Sequence, residues 1–127
     1  MTRWQSPAGF ERAGFYNDAY APEFTAAIRA FAELDRPIAS ICVGALPVAR
    51  SGILEGRRAT TYALMQGKRR AELAAMGALV VDSDVVADGN VITSTSPATA
   101  VDVAFALLEA LSSSENALKI RALMGFS

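Results

Sequence analysis

The sequence contains no histidine and a single cysteine, Cys42. The absence of histidine excludes a cysteine–histidine catalytic pair within the chain, and a lone cysteine excludes an internal disulfide bond. No stretch approaches the roughly 18 consecutive apolar residues that a membrane span requires, and the amino terminus has no apolar signal-peptide core. One unpaired thiol is typical of a reducing compartment, so we expect a cytoplasmic protein that does not associate with membranes.

Composition narrows the class of protein further. The 127 residues are 52% hydrophobic and carry a formal net charge of −1, with acidic and basic residues mixed along the chain. No basic patch is interleaved with aromatic residues, which argues against nucleic-acid binding. Asp82, Asp84 and Asp88 cluster near a predicted turn, but without histidine or calcium-loop spacing we expect neither a metal nor a cofactor. We expect one domain over residues 1–127, with residues 1–6 as a loose lead-in.

Hydrophobic periodicity predicts helices over residues 22–34, 68–76 and about 97–111. A small-residue helix after Cys42 is expected to bend at Pro47, and Ser112 and Glu115 form a capping-box pattern that opens a last helix. The basic run 68–70 is interpreted as a solvated helix face. The predicted buried stripes are Phe24, Ala27, Ile28 and Phe31 in the first helix, and Val101, Ala104, Phe105 and Leu108 in the later one.

Short β-branched runs between these helices predict strands over residues 38–41, 58–62, 78–81 and 84–87. An Asp88-Gly89 turn then predicts a hairpin into residues 90–93. Because strands alternate with helices, we expect an α/β fold with a largely parallel sheet.

Cys42 follows a predicted buried strand and is itself followed by small residues, so a sharp strand-to-helix turn is expected there. Unpaired N–H groups and the helix dipole at such a turn favour thiolate over thiol, which predicts a reactive cysteine. A lone cysteine can equally be a small buried hydrophobe that serves only packing, and that alternative stays open.

The residues in and around this turn resemble those of the ThiJ/PfpI family, within the class I glutamine amidotransferase-like superfamily. The segments that carry the resemblance are IASICVGALP (38–47), SGILEGRRATTY (51–62), DGNVITS (88–94) with the helix start PATA (97–100), and PAGF (7–10). The resemblance implies a flavodoxin-like three-layer parallel-sheet sandwich with a small hairpin near residues 84–93. It also implies that the opening β-α-β segment of the family is missing from this chain.

The resemblance further implies a site centred on Cys42 as nucleophile or redox-active thiol. The backbone N–H groups of Val43 and Gly9 would serve as oxyanion donors. The family places a histidine where this chain has Val43 or Tyr62, and the glutamate that bonds the cysteine lies in the missing segment. Tyr62 is therefore either an orienting hydroxyl or a half-buried aromatic with a structural role.

Two functions follow as expectations. The first is a stress-related protein whose cysteine acts on small electrophiles such as carbonyls, or senses oxidants, with weak or no hydrolase activity. The resemblance implies glyoxalase-like, deglycase-like, hydrolase-like and chaperone-like activities as alternatives. The alternative is a non-catalytic remnant or interaction module, completed as a homo-oligomer or by an N-terminal partner segment that covers an open sheet edge.

Overall fold

The computed structural model describes residues 14–126 of the chain. The helices are α1 (Phe15–Ala19), α2 (Pro22–Glu33), α3 (Ala45–Arg50), α4 (Lys68–Ala75), α5 (Ala100–Leu111) and α6 (Ser114–Leu123). The strands are β1 (Ile38–Ala39), β2 (Arg58–Ala59), β3 (Leu79–Val80), β4 (Val85–Asp88) and β5 (Val91–Ser94). Short 3-10 turns at Cys42–Gly44, Met65–Gly67 and Pro97–Thr99 lead into α3, α4 and α5.

Two small sheets organise the fold. One has the strand order β1-β5-β4, in which β1 pairs with β5 in parallel and β4 pairs with β5 as an antiparallel hairpin. The other pairs β2 with β3 in parallel. The parallel pairs join strands that are separated by helices, as the predicted α/β alternation requires.

Helix α3 lies at the centre of the core. Its residues from Ala45 to Ala49 are all buried, and Leu46 packs with Leu54 and Leu73, which are also fully buried. Pro47 does not interrupt this helix, because it falls in the first turn, where a missing backbone N–H costs no hydrogen bond. The core therefore forms directly behind the turn that carries Cys42.

The strands are shorter than their hydrophobic runs. The predicted strand over residues 58–62 pairs only at Arg58–Ala59, because the backbone N–H of Thr60 donates to the side-chain oxygen of Thr93 (2.9 Å) instead of to a strand carbonyl. The predicted hairpin is present, but Asp88 pairs with Val91, so the turn consists of Gly89 and Asn90. The turn is thus one residue later than predicted, with Gly89 at a φ of +59°.

Both predicted helix stripes are partly wrong. In α2, Phe24 and Phe31 are 49% and 56% exposed, whereas Thr25 and Ile28 are buried. Thr25 and Ile28 lie three positions apart on one side of α2, and that side packs against the core while the aromatic rings lie outside it. In α5, Val103 is the buried residue, and Val101 and Ala104 are exposed.

The start of α6 also differs from its prediction. The capping residue is Ser113, whose hydroxyl oxygen accepts a 3.0 Å hydrogen bond from the backbone N–H of Asn116. The hydroxyl of Ser112 instead donates to the carbonyl oxygen of Leu108 and closes the end of α5. Three successive serines offer several capping registers, and the packing of the two helices selects one.

Candidate functional site

Cys42 lies at the sharp turn between β1 and α3. Its φ of +59° is in the left-handed region, which non-glycine residues seldom occupy outside constrained sites. The hydroxyl of Thr61 donates a 2.8 Å hydrogen bond to the carbonyl oxygen of Cys42 and so ties the turn to the segment after β2. The predicted strand-to-helix turn is therefore present, and its strained backbone is held by a contact distant in sequence.

Hydrogen bonds on both sides of Cys42 hold the chain in this turn. The backbone N–H of Gly44 bonds to the carbonyl oxygen of Ile41 (3.1 Å), which closes the first tight turn. A Cβ atom at position 44 would lie 3.5 Å from that of Ser40, an ordinary van der Waals distance, so the turn does not require glycine there. The hydroxyl of Ser94 donates to the carbonyl oxygen of Ser40 (3.3 Å) and fixes the end of β1 against β5.

The thiol is half-buried against the core. Burial raises the pKa of Cys42, and a hydrogen bond from the backbone N–H of Val43 offsets part of this effect. The prediction of a thiolate favoured by the helix dipole is therefore wrong in direction. Burial of the thiolate is the main cause of the raised pKa, and the helix that follows is only six residues long after a single 3-10 turn.

Of the other predicted site residues, Val43 and Tyr62 lie within the described part of the chain. Val43 is 6% exposed, and its N–H is already directed at the sulfur of Cys42. Tyr62 is partly buried and packs against the same core cluster as Cys42. Gly9, the second predicted oxyanion donor, lies outside the described residues.

Several buried hydroxyl groups near the turn were not predicted as site residues. Thr60, Thr61, Thr93 and Ser94 are at most 1% exposed. The hydroxyl oxygen of Thr93 accepts from the backbone N–H of Thr60, and the hydroxyl of Ser94 donates to the carbonyl oxygen of Ser40. The hydroxyl of Thr60 has no hydrogen-bond partner among the described residues. The available signal was the placement of Thr60 and Thr61 inside a predicted strand, since most buried hydroxyl groups have a hydrogen-bond partner.

Two further features bear on the class of site. Within residues 14–126, no group of three or more histidine, cysteine, aspartate or glutamate side chains is arranged to hold a metal ion. None of the helices in this part of the chain has both the length and the apolar character needed to cross a bilayer.

Comparisons with known proteins identify a matching family model and several relatives. The family model described as the DJ-1/PfpI family matches residues 14–110. A stretch of 70 residues is 39% identical to an uncharacterized protein of Methanocaldococcus jannaschii and covers 55% of this chain and 33% of that protein. An 84-residue stretch is 34% identical to isonitrile hydratase of Pseudomonas putida and covers 66% of this chain and 35% of the relative.

A solved structure extends the similarity to the fold. Drosophila melanogaster DJ-1beta superimposes with a TM-score of 0.75 at 26% identity, over 87% of this chain and 58% of that chain. This chain therefore spans about a third of the length of the two relatives and little more than half of the solved structure. The similarity confirms the flavodoxin-like α/β fold predicted from the sequence.

Proposed function

Since the chain belongs to the DJ-1/PfpI family, we propose that it is a stress-related protein whose Cys42 thiol adds to small electrophilic carbonyls. The observation that carries the proposal is the φ of +59° at Cys42. A left-handed backbone costs a non-glycine residue about 1–2 kcal/mol, and Asp35, Met65 and Gln66 share it. At Cys42 it coincides with a nucleophilic side chain at a strand-to-helix turn that Thr61 holds from a distance. Strain of this kind is concentrated at functional turns.

The proposed step needs no additional reactant. Cys42 loses its proton to solvent, and the sulfur attacks the carbonyl carbon to form a carbon–sulfur bond. The π electron pair moves to the carbonyl oxygen, which then takes a proton from water to give a hemithioacetal. The N–H of Val43 lies at the sulfur, next to where the negative oxygen develops, and supports that charge.

We expect this reaction to be slow at neutral pH. The chain has no histidine to remove the thiol proton, and burial raises the pKa of Cys42, so the thiolate fraction is small. The rate should rise with pH until the thiol is fully ionised. The same two facts support weak or absent hydrolase activity, because hydrolysis also requires protonation of the leaving group.

The test is consumption of methylglyoxal together with mass spectrometry of the intact protein. The wild-type protein should acquire one reversible adduct and the Cys42→Ala variant none. Tyr62→Phe should lower the adduct rate about threefold if its hydroxyl orients the carbonyl, an effect smaller than a full proton-transfer role. An alkyl isonitrile belongs among the probes, because isonitrile hydratase is among the relatives. Equal adduct formation in Cys42→Ala would overturn the proposal.

The proposal also includes a second reaction of the Cys42 thiol, its oxidation by peroxide. Peroxide would convert the thiolate of Cys42 to a sulfenic acid, with one peroxide oxygen transferred to sulfur and water released. The half-buried position of the thiol supports access for small oxidants. Trapping with dimedone separates this outcome from carbonyl addition, since dimedone labels only the sulfenic acid.

A second candidate function is that of an interaction module. Phe24, Phe31 and Leu34 of the α2 region are between 49% and 69% exposed. Among the described strands, β1 pairs with β5 alone, which leaves its other edge open. Exposed apolar side chains beside an open strand edge favour pairing with another copy or another chain. Light scattering over a concentration series tests this function, and a monomer at every concentration would contradict it.

A further inference from the structure

A cleft of about 330 Å³ opens between the α2–β1 connection and the β4–β5 turn. Ile38, the first residue of β1, lies in its wall, four residues before Cys42. An extended chain places those two residues roughly 13 Å apart, so the cleft is separate from the thiol. Its lining includes the charged residues Asp35, Arg36 and Arg57 and the apolar residues Ile38, Ile53 and Val91.

The two guanidinium groups in this cleft are not neutralised. Among residues 14–126, neither Arg36 nor Arg57 has a carboxylate oxygen within 4.0 Å. Arg57 is held in place by the hairpin turn, because its Nη1 atom donates to the carbonyl oxygen of Asp88 at 3.5 Å. A Cβ atom on Gly89 would lie 3.1 Å from the same nitrogen, so the turn packs directly on this side chain.

The two nearby carboxylates are engaged elsewhere. Asp35 accepts a hydrogen bond from the side-chain amide of Asn90 through Oδ1. Asp88 accepts a 2.8 Å hydrogen bond from the backbone N–H of Arg58 through Oδ2, which also faces the Nε atom of Arg58 at 3.9 Å. Asp35 itself lines the cleft, whereas Asp88 does not. The two guanidinium groups of Arg36 and Arg57 outnumber this single carboxylate, so the net charge of the lining is positive.

We infer that this cleft binds a small organic monocarboxylate with a short aliphatic chain. A guanidinium group presents two parallel N–H donors that match the two oxygens of a carboxylate, and two such groups line one cavity. The apolar wall formed by Ile38, Ile53 and Val91 suits a chain of a few methylene groups. The volume is at the lower end of the range of about 300–1,000 Å³ typical of ligand sites, which excludes a large ligand.

Pentanoate is the probe for this inference, titrated into isotope-labelled protein while amide chemical shifts are followed. The experiment is run in the Cys42→Ala variant, so that failure of the proposed thiol chemistry has no bearing on it. Saturable shifts should appear at Gly89, Asn90 and Arg57, and pentylamine, which has the same chain with the opposite charge, should cause none. Equal binding of pentylamine, or shifts without saturation, would overturn the inference.

Arginine variants make the assignment specific. Arg57→Gln and Arg36→Gln should each weaken pentanoate binding about tenfold, as expected for the loss of a charge-assisted hydrogen bond. Arg58→Gln is the matched control, because that side chain is 62% exposed, does not line the cleft and directly follows Arg57 in the sequence. Unchanged affinity in Arg57→Gln, or an equal loss in Arg58→Gln, would overturn the inference. Equally tight binding of inorganic phosphate would also overturn it, since the apolar wall would then contribute nothing.

Discussion

The side-chain hydroxyl of Thr61 donates a 2.8 Å hydrogen bond to the backbone carbonyl oxygen of Cys42. The two residues are 19 positions apart, so the contact joins the strained turn to the segment that leads to Tyr62. It holds the left-handed backbone of Cys42 from outside the turn itself. The reactivity of the thiol should therefore depend on a residue that does not contact the sulfur.

Replacement of Thr61 by valine keeps the shape of the side chain and removes this hydrogen bond. We expect a loss of about 1 kcal/mol in the free energy of unfolding, measured by urea denaturation, and faster alkylation of Cys42 as the turn loosens. Thr25→Val is the matched control, because the hydroxyl of Thr25 bonds only to carbonyls of the first turn of its own helix. Equal effects of both variants on alkylation would refute the special role of Thr61.

Stability should fall at alkaline pH through Cys42. Burial raises the pKa of its thiol, so the folded state holds this proton more tightly than the unfolded chain does. The resulting stability is fully present below the ordinary thiol pKa of about 8.5 and is lost as pH rises through the higher folded-state pKa. Urea denaturation in reductant from neutral pH to about pH 10 should show a shallower decline in Cys42→Ala than in wild type. Parallel curves would contradict the assignment.

The position of Cys42 could be predicted from sequence because local patterns determine it. A β-branched run that ends in small residues predicts a turn. The resemblance of residues 38–47 to a family motif predicts a turn at the same position. The hairpin was also predictable, since Gly89 marks a backbone that needs a positive φ. Its register was not, because neighbouring turns differ by a single residue and strand pairing across the sheet decides between them.

The environment of the site could not be predicted in the same way. Periodicity shows that α2 has an apolar side, but two overlapping stripes fit it, and only the packing of α3 selects Thr25 and Ile28 over Phe24 and Phe31. The direction of the pKa shift at Cys42 likewise depends on how deeply the thiol is buried. That depth is a property of the assembled core rather than of any local run of residues.

Gly77 should tolerate substitution less well than a glycine of matched backbone. Its φ of +99° resembles the +95° of Gly52, but a Cβ at Gly77 would lie 3.1 Å from Cγ and 3.5 Å from Cα of Glu55, whereas nothing lies within 4 Å at Gly52. Alanine at either position incurs left-handed strain of about 1–2 kcal/mol. The additional loss of unfolding free energy in Gly77→Ala, measured by thermal or urea denaturation, is the cost of crowding against Glu55. Equal losses would mean that Glu55 moves aside freely.

Glu72 should stabilise the fold by compensating a buried charge. The interpretation of the basic run 68–70 as a solvated face is wrong at Arg69, which is 4% exposed. Its Nη1 atom bonds to both carboxylate oxygens of Glu72, at 2.9 and 3.1 Å, and its guanidinium lies 4.7 Å from the ring centre of Tyr16. Because Glu72 is partly exposed, we expect Glu72→Gln to cost about 2 kcal/mol, below the usual loss on breaking a fully buried pair.

The same substitution has a spectroscopic signature that a simple packing defect would lack. Burial is the main cause that raises the pKa of Tyr20, and the negative charge of Glu72 raises it further against the opposing effects of Arg50 and Arg69. Glu72→Gln should therefore lower the alkaline midpoint of tyrosine absorbance. Asp82→Asn is the control, because the Arg70–Asp82 pair involves an acid that is 92% exposed, and such pairs contribute at most about 1 kcal/mol. An equal loss of unfolding free energy in both variants, with no change in the tyrosine midpoint, would contradict this role of Glu72. Packing alone would then explain the burial of Arg69.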